Sequence, residues 1–284
     1  MDLGAGGGEL LRDVHSRAPD LELVGVDLSA RPAQLPDSSR WSSTFVDLET
    51  GKAVGPPYLS RDHADVLVVA NEWLDDIPVD IVEIDEEGQP RLVHVDPESG
   101  EERLGAAPDD EDAAWLARWW PLDGARPGAR AEIGHTRDQA WADVVRRVGH
   151  GVLMAVDYWH RWPHRPLTGT LAGYQAGRLV TPVPDGTCDI TAHVALDACA
   201  AAGEAAGATA TLLTTQRRAL QALGVDATLP RRSLATDDST AYVRALERAN
   251  QAAELLDPAG LGGFGWLVQA VGRPLPDVLM ELVS

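Results

Sequence analysis

The sequence predicts an α/β fold: a Rossmann-like parallel sheet with helices on both faces and a β-hairpin insertion. Three observations carry this. Gly4, Gly6, Gly7 and Gly8 form a glycine-rich turn that leads directly into helical spacing in ELLRDVHSRA. Short apolar runs that end in acids or an amide, LELVGVD, ADVLVVANE and GVLMAVDY, alternate with amphipathic stretches of helical period. Between the last two, VDIVEIDEEGQPRLVHVDPESGEERL alternates apolar and polar residues around Glu87-Gly88 and Ser99-Gly100, a hairpin pattern.

Taken in order, Met1, Asp2 and Leu3 supply a very short first strand ahead of the glycine turn. Residues 9–18 place Leu10, Leu11 and Val14 on one helical face, and 21–27 form a buried strand that ends in Asp27. STFVD, 43–47, is a weaker strand candidate ending in Asp47, and 64–72 is a strong one ending in Asn71 and Glu72. The β insertion covers about 79–105. Residues 109–120 begin with acids suited to a helix N-terminus, and 135–148 form a second helix stopped by Gly149 and Gly151. Residues 151–158 read as another buried strand. The Pro-, Gly-, Trp- and His-rich stretch 159–189 reads as an ordered loop or lid over a substrate. Helix 195–207, strand 208–215, helices 216–224 and 240–256 and a final strand 264–272 complete the series. With neither an internal repeat nor an evident boundary, 1–284 reads as one domain.

The net charge of −20 opposes non-specific attraction to nucleic acid and to anionic membranes. A basic protein partner is favoured instead. Cys188 and Cys199 lack metal-ligand spacing, and no His, Cys and acid grouping suggests a metal. No apolar run reaches the roughly 20 residues of a membrane span, and a secretory leader is not evident, so a cytoplasmic location is expected.

Polar residues at the carboxyl ends of parallel strands mark where ligands bind. The glycine turn reads G-x-G-x-G, with Glu9 where a dinucleotide fold would place its third glycine, and no lysine follows as a triphosphate loop requires. The pattern suits S-adenosylmethionine. Gly4, Ala5, Gly6 and Gly8 would face its methionine moiety, Asp27 would bond the ribose hydroxyls, and Asp47 would meet the adenine amino group. The same residues are also compatible with a tight turn flanked by solvated strand-end acids.

DLGAGGGEL and ANEWLDDIPVDIVE, followed by LMAVDYWHR, GTLAGY and CDITAHVALDACAAAG, resemble in order the motifs of the MidA-type class I methyltransferases. These are bacterial relatives of the mitochondrial arginine methyltransferase that assists respiratory complex I assembly. The resemblance spans roughly residues 2–205. It implies a Rossmann-like class I methyltransferase sheet, a cofactor site from Gly4, Gly6, Gly8 and Asp27, and a reaction centre at Asn71, Glu72 and Asp75. It further implies transfer to a protein nitrogen such as arginine. Asp157 and Tyr158, at a strand end, could line the acceptor side, with Tyr174 and His193 as further substrate contacts. Thr191 reads as a helix cap. Glu72 and Asp75 would face one pocket if the chain turned helical after the strand.

This chain departs from the resemblance at several positions. Trp159 stands in place of a glycine, Ala172 and Gln175 in place of basic residues, and Asp76 in place of a small one. Relatives also carry an N-terminal segment and a full first strand before the glycine turn, so a truncated version is expected here, its sheet lacking most of that strand. Two rival readings follow: a catalytically impaired scaffold that binds a protein partner, and, more weakly, a nicotinamide-dependent oxidoreductase.

Overall fold

A computed structural model describes residues 1–42 and 65–282, together with the backbone of Val46–Asp47 and Lys52–Ala53. Seven strands form the central sheet: β1 (Asp2–Leu3), β2 (Val24–Val26), β3 (Arg40–Ser42), β4 (Val66–Asn71), β5 (Gly151–Asp157), β6 (Ala210–Thr215) and β7 (Gly265–Val271). Their order is β3-β2-β1-β4-β5-β7-β6. The first five lie parallel, and β7 runs antiparallel between β5 and β6. The chain winds outward from β1 through β2 and β3, then returns to β4. The ends of β1 and β4 therefore flank the switch point where open α/β sheets bind ligands.

Short as it is, β1 is paired on both edges. Asp2 sits opposite Gly25 and Val69, and Leu3 opposite Val26 and Ala70. Among the described residues the α-helices are α1 (Glu9–Arg17), α2 (Asp110–Trp119), α3 (His135–Arg147), α4 (Leu196–Ala206), α5 (Gln216–Ala222), α6 (Arg232–Asp237), α7 (Ser239–Leu256) and α8 (Asp277–Met280).

The period-2 alternation of β5 and β7 decides which helices cover which face. Leu153, Ala155 and Leu267 join Trp141 and Val145 of α3 and Leu196 and Cys199 of α4 in one core. Val152, Val156, Trp266 and Val268 point the other way, onto Ala219 of α5 and Leu279 of α8. Gln269 lies wholly inside the first core, where a bare amide would be costly. It accepts from the Trp141 indole at 2.8 Å and donates to the Ala200 carbonyl at 2.8 Å, so both ends are satisfied. Among the described residues no helix is long and apolar enough to cross a membrane.

Several elements differ from the sequence expectation. The third strand is Arg40–Ser42, upstream of 43–47, because Trp41 packs over Gly25 of β2 and its indole N–H donates to the Ser29 carbonyl at 3.1 Å. Val46–Asp47 pairs antiparallel with Lys52–Ala53, apart from the central sheet. The insertion is larger than 79–105: Asp80–Ile84, Pro90–Val95 and Glu102–Leu104 are joined by a fourth strand, Arg130–Ile133, which pairs with Asp80–Ile84. Arg130 and Glu132 disguise that strand in sequence. Trp115, Leu116 and Trp120 of the α2 region cover Val82, Ala131 and Ile133. The stretch expected as a loop contains a hairpin, Ala172–Gln175 with Arg178–Val180, turning at Ala176-Gly177, both with positive φ. Asp189–Thr191 adds a third strand to it. Helix α6 is a further addition.

Candidate active site at the switch point

The glycine turn joins β1 to α1 under tight steric limits. Gly4 has φ +68°, and a Cβ there would sit 3.1 Å from the Trp73 side chain. The amides of Gly4 and Ala5 both donate to the Val26 carbonyl, at 2.9 and 3.1 Å, which ties the turn to the end of β2. Gly6, at φ +49°, has open space where a Cβ would stand, so a ligand can come up against its backbone. Gly8 is the N-cap of α1. The first-turn N–H groups of that helix add a fixed positive end to the cradle.

Asp27 ends β2 and reaches back to the turn. Its Oδ2 accepts from the Gly6 amide at 2.7 Å and its Oδ1 from the Ser29 amide at 2.8 Å. Partial burial pushes its carboxyl upward, yet the bonds from Ser29 and Gly6 outweigh it and hold the group below its ordinary value. Each oxygen retains a lone pair for a ribose hydroxyl. The neighbouring Leu28 is 76% exposed at this edge and offers an apolar face to a flat ring. The side chain of Asp47, the residue expected at adenine, lies outside the described residues.

Two cofactor-side features escaped the sequence reading. Asp2 is buried beneath the turn, where burial raises its carboxyl to about 6, the Met1 ammonium opposes this, and Asp27 and Glu9 reinforce it. Leu28 is the other. An acid two residues before G-x-G-x-G and an apolar residue directly after Asp27 were the available signals.

At the end of β4 the chain turns sharply, and it does not turn helical. Glu72 has φ +47°, a left-handed conformation that costs a non-glycine residue on the order of 1 kcal/mol. Its amide donates to the Val156 carbonyl at 2.8 Å, and Asn71 Nδ2 donates to its Oε1 at 3.3 Å. Both side chains are exposed at the sheet edge. Asp75 is buried: its Oδ2 accepts from the Thr191 hydroxyl at 2.7 Å, while Oδ1 has no partner. Thr191 therefore binds Asp75 and caps nothing, since α4 begins five residues later.

Asp75 and Asp189 lie close enough to Glu72 and Asp76 to raise their carboxyls. Partial desolvation at the sheet edge raises the Glu72 carboxyl and Asp75 adds to it, with Asn71 opposing and Asp189 reinforcing. Burial also lifts Asp76 to about 6, helped by Asp75, Asp189 and Glu72 against Arg137. Asp157 stands apart from this group. Wholly buried, it accepts from the amides of Leu74 at 3.1 Å and Asp75 at 3.3 Å. Burial, then Asp75, pushes its carboxyl well up. It is placed to hold the turn in shape and is not accessible to an acceptor.

The residue that ties these parts together is Arg137, which the sequence reading missed. Only 3% exposed, it donates to the carbonyls of Asp75, Ile77, Ala192 and His193. It lies in the first turn of α3, and nothing in its spacing set it apart from a surface arginine.

Of the residues expected on the substrate side, Tyr158 and His193 are brought together. Their rings stack at 5.7 Å, and Phe264 packs on Tyr158 at 4.2 Å. They line a cleft of about 550 Å³. Burial, then Arg137, lowers the His193 pKa and leaves it neutral at pH 7. Tyr174 is half-exposed on the hairpin and is absent from that cleft's lining.

A family model described as "Putative S-adenosyl-L-methionine-dependent methyltransferase" matches residues 1–214. The chain belongs to this family. It is an S-adenosylmethionine-dependent methyltransferase, and the glycine turn and Asp27 fit that cofactor. An uncharacterized COG1565-superfamily protein of Burkholderia thailandensis is similar in structure, with TM-score 0.75 and 26% identity over 98% of this chain and 75% of that one. A second member from the same organism, titled a "likely methyl transferase" and bound to S-adenosyl-homocysteine, has TM-score 0.74 and 25% identity over 99% and 73% of the two chains. No curated protein matches the methyltransferase.

Proposed function

We propose that the methyltransferase is of MidA type and acts on a cationic nitrogen of a protein, an arginine guanidinium foremost. The observation that carries this is the group of carboxylates at the end of β4, Glu72, Asp75 and Asp76 with Asp189, whose mutual repulsion a bound cation would relieve. Arg137, the cation beneath them, is already committed to four backbone carbonyls. A planar guanidinium donates paired, charge-assisted hydrogen bonds to such acids.

Bound S-adenosylmethionine supplies an electrophilic methyl group on a sulfonium. Gly4 to Gly8 and Asp27 hold its two ends. Glu72 and Asn71, across the switch point, orient the acceptor nitrogen in line with that methyl. Glu72, its carboxyl already raised, would take the proton that the acceptor nitrogen loses as it gains the methyl group and S-adenosylhomocysteine leaves. Asp157 and Thr191 fix Asp75, and Tyr158 and His193 close the acceptor side. We place the reaction in the cytoplasm, which suits its free cysteines.

The test is transfer from methyl-labelled S-adenosylmethionine to arginine-containing peptides and cell extract, followed by acid hydrolysis and amino-acid analysis. Label in methylarginine supports the reading. Label confined to carboxyl esters or to small non-peptide acceptors overturns it.

A further inference from the structure

A second cavity, of about 380 Å³, runs between the inserted sheet and the three-stranded hairpin layer. Its walls are apolar, with Ile81 and Val93 on one side and Leu171, Pro182 and Ile190 on the other. Its acids are Asp75, Asp76, Asp80 and Glu102, and Glu102 is already paired with Arg130. Arg137 is the one cation among its lining residues, and its donors are taken by carbonyls. Asp75, 7% exposed, is part of the lining and keeps an unpartnered oxygen.

We infer that this groove seats the polypeptide flanking the methylated residue, as an extended segment with a basic side chain at the acids and apolar neighbours against the walls. Successive side chains of an extended chain point to opposite sides, so one segment can offer a cation to Asp76 and Asp80 and an apolar group to Val93 and Ile190. The volume falls within the roughly 300–1,000 Å³ of small-ligand pockets. Charge fixes the choice of occupant: an apolar groove lined by Asp75, Asp76 and Asp80, whose one lining cation is already bound to carbonyls, rejects acidic segments. This assignment rests on the cationic-nitrogen reading above and extends it to sequence preference. Insertion and hairpin layer are then the reader of the substrate, and the central sheet its methylating half.

The experiment measures anisotropy of labelled peptides against the full chain saturated with S-adenosylhomocysteine. Three peptides are compared: arginine flanked by leucine and valine, arginine flanked by glycine, and citrulline flanked by leucine and valine. The first should bind at least about 10-fold tighter than either other, the scale of one apolar contact made or lost in a fitted site. Val95→Arg, at a groove position already 41% exposed, and Ile190→Ala should each remove most of the advantage over the glycine-flanked peptide. Melting temperature and S-adenosylhomocysteine affinity should not change. Equal affinity for both arginine peptides, failure of all three to bind, or indifference to both substitutions overturns the groove. Labelled transfer to the glycine-flanked peptide reports the parent reading separately. That peptide can be methylated while the flank preference is absent.

Discussion

The Arg137 guanidinium lies 2.7 Å from the carbonyl oxygen of Asp75, so a fully buried cation grips the backbone of the turn that carries Asp75 and Asp76. Its other donors reach Ile77, Ala192 and His193 and lock the turn after β4 to the segment before α4. Arg137→Met should leave these carbonyls unpaired and the Asp75 and Asp157 carboxylates without a counter-charge. A loss of about 3–5 kcal/mol is expected, as for other broken buried charge networks, read by urea denaturation. Arg137→Lys should recover part of it. Stability within about 0.5 kcal/mol of the parent in the methionine variant would show that the grip is dispensable.

Asp27 shapes the turn through Gly6, and we propose that it also binds the ribose. Asp27→Asn removes the charge and one acceptor oxygen. Affinity for S-adenosylhomocysteine should fall by roughly 1.5–3 kcal/mol, the range for hydrogen bonds to charged groups. Titration calorimetry on the folded variant decides, and an unchanged affinity would confine Asp27 to the turn.

Glu72 occupies backbone space that favours glycine. Glu72→Gly should leave stability unchanged or raise it by up to about 1 kcal/mol, since the left-handed strain is relieved. Glu72→Gln should keep cofactor affinity. Both should lower methyl transfer on the order of 100-fold, the effect of losing one electrostatic stabiliser. If instead the glycine variant melts well below the parent, Glu72 serves the fold.

Stability and activity should respond to pH in opposite directions. Asp2 and Asp76 ordinarily titrate at 3.8 and are raised to about 6 in the fold. The folded state thus binds their protons more tightly than the unfolded one, and the stability they contribute is full below 3.8 and lost as pH rises through about 6. Melting temperature should climb as pH drops from 7.5 towards 5. Below that, Asp27, whose carboxyl is held down, loses its contribution as it protonates. Transfer should fade over the same descent, because cation binding needs the acids ionised. Asp76→Asn should flatten the stability curve between pH 5 and 7, and an unaltered curve would assign the titration elsewhere.

Much of the candidate site's geometry was legible where one residue type answers one local demand. Positive φ and close backbone approach select glycine at Gly4, and a strand end beside a ligand edge selects the acid at Asp27 or Glu72. Thr191 was misread for the opposite reason. Its hydroxyl suits a helix N-terminus in sequence, but pairing with Ala172 in the hairpin layer carries it away from α4 and onto Asp75, 116 residues earlier. The strand Arg130–Ile133 was hidden because Glu132, only 3% exposed, accepts from the amides of Thr170 and Leu171. A buried carboxylate with partners that distant leaves no periodic trace.

The sequence by itself determined the α/β class, the order of the main strands and helices, the glycine turn and the acids at the ends of β2 and β4. These are short-range properties: hydrophobic period, capping and backbone freedom act within a few residues. Only the tertiary structure decided that β7 slips antiparallel between β5 and β6, and that Asp157 supports the turn from within. It also decided that Arg137 joins two segments and that an apolar groove forms between insertion and hairpin. Each of these depends on groups far apart in the chain, whose pairing is set by which buried polar atoms find partners once the layers pack.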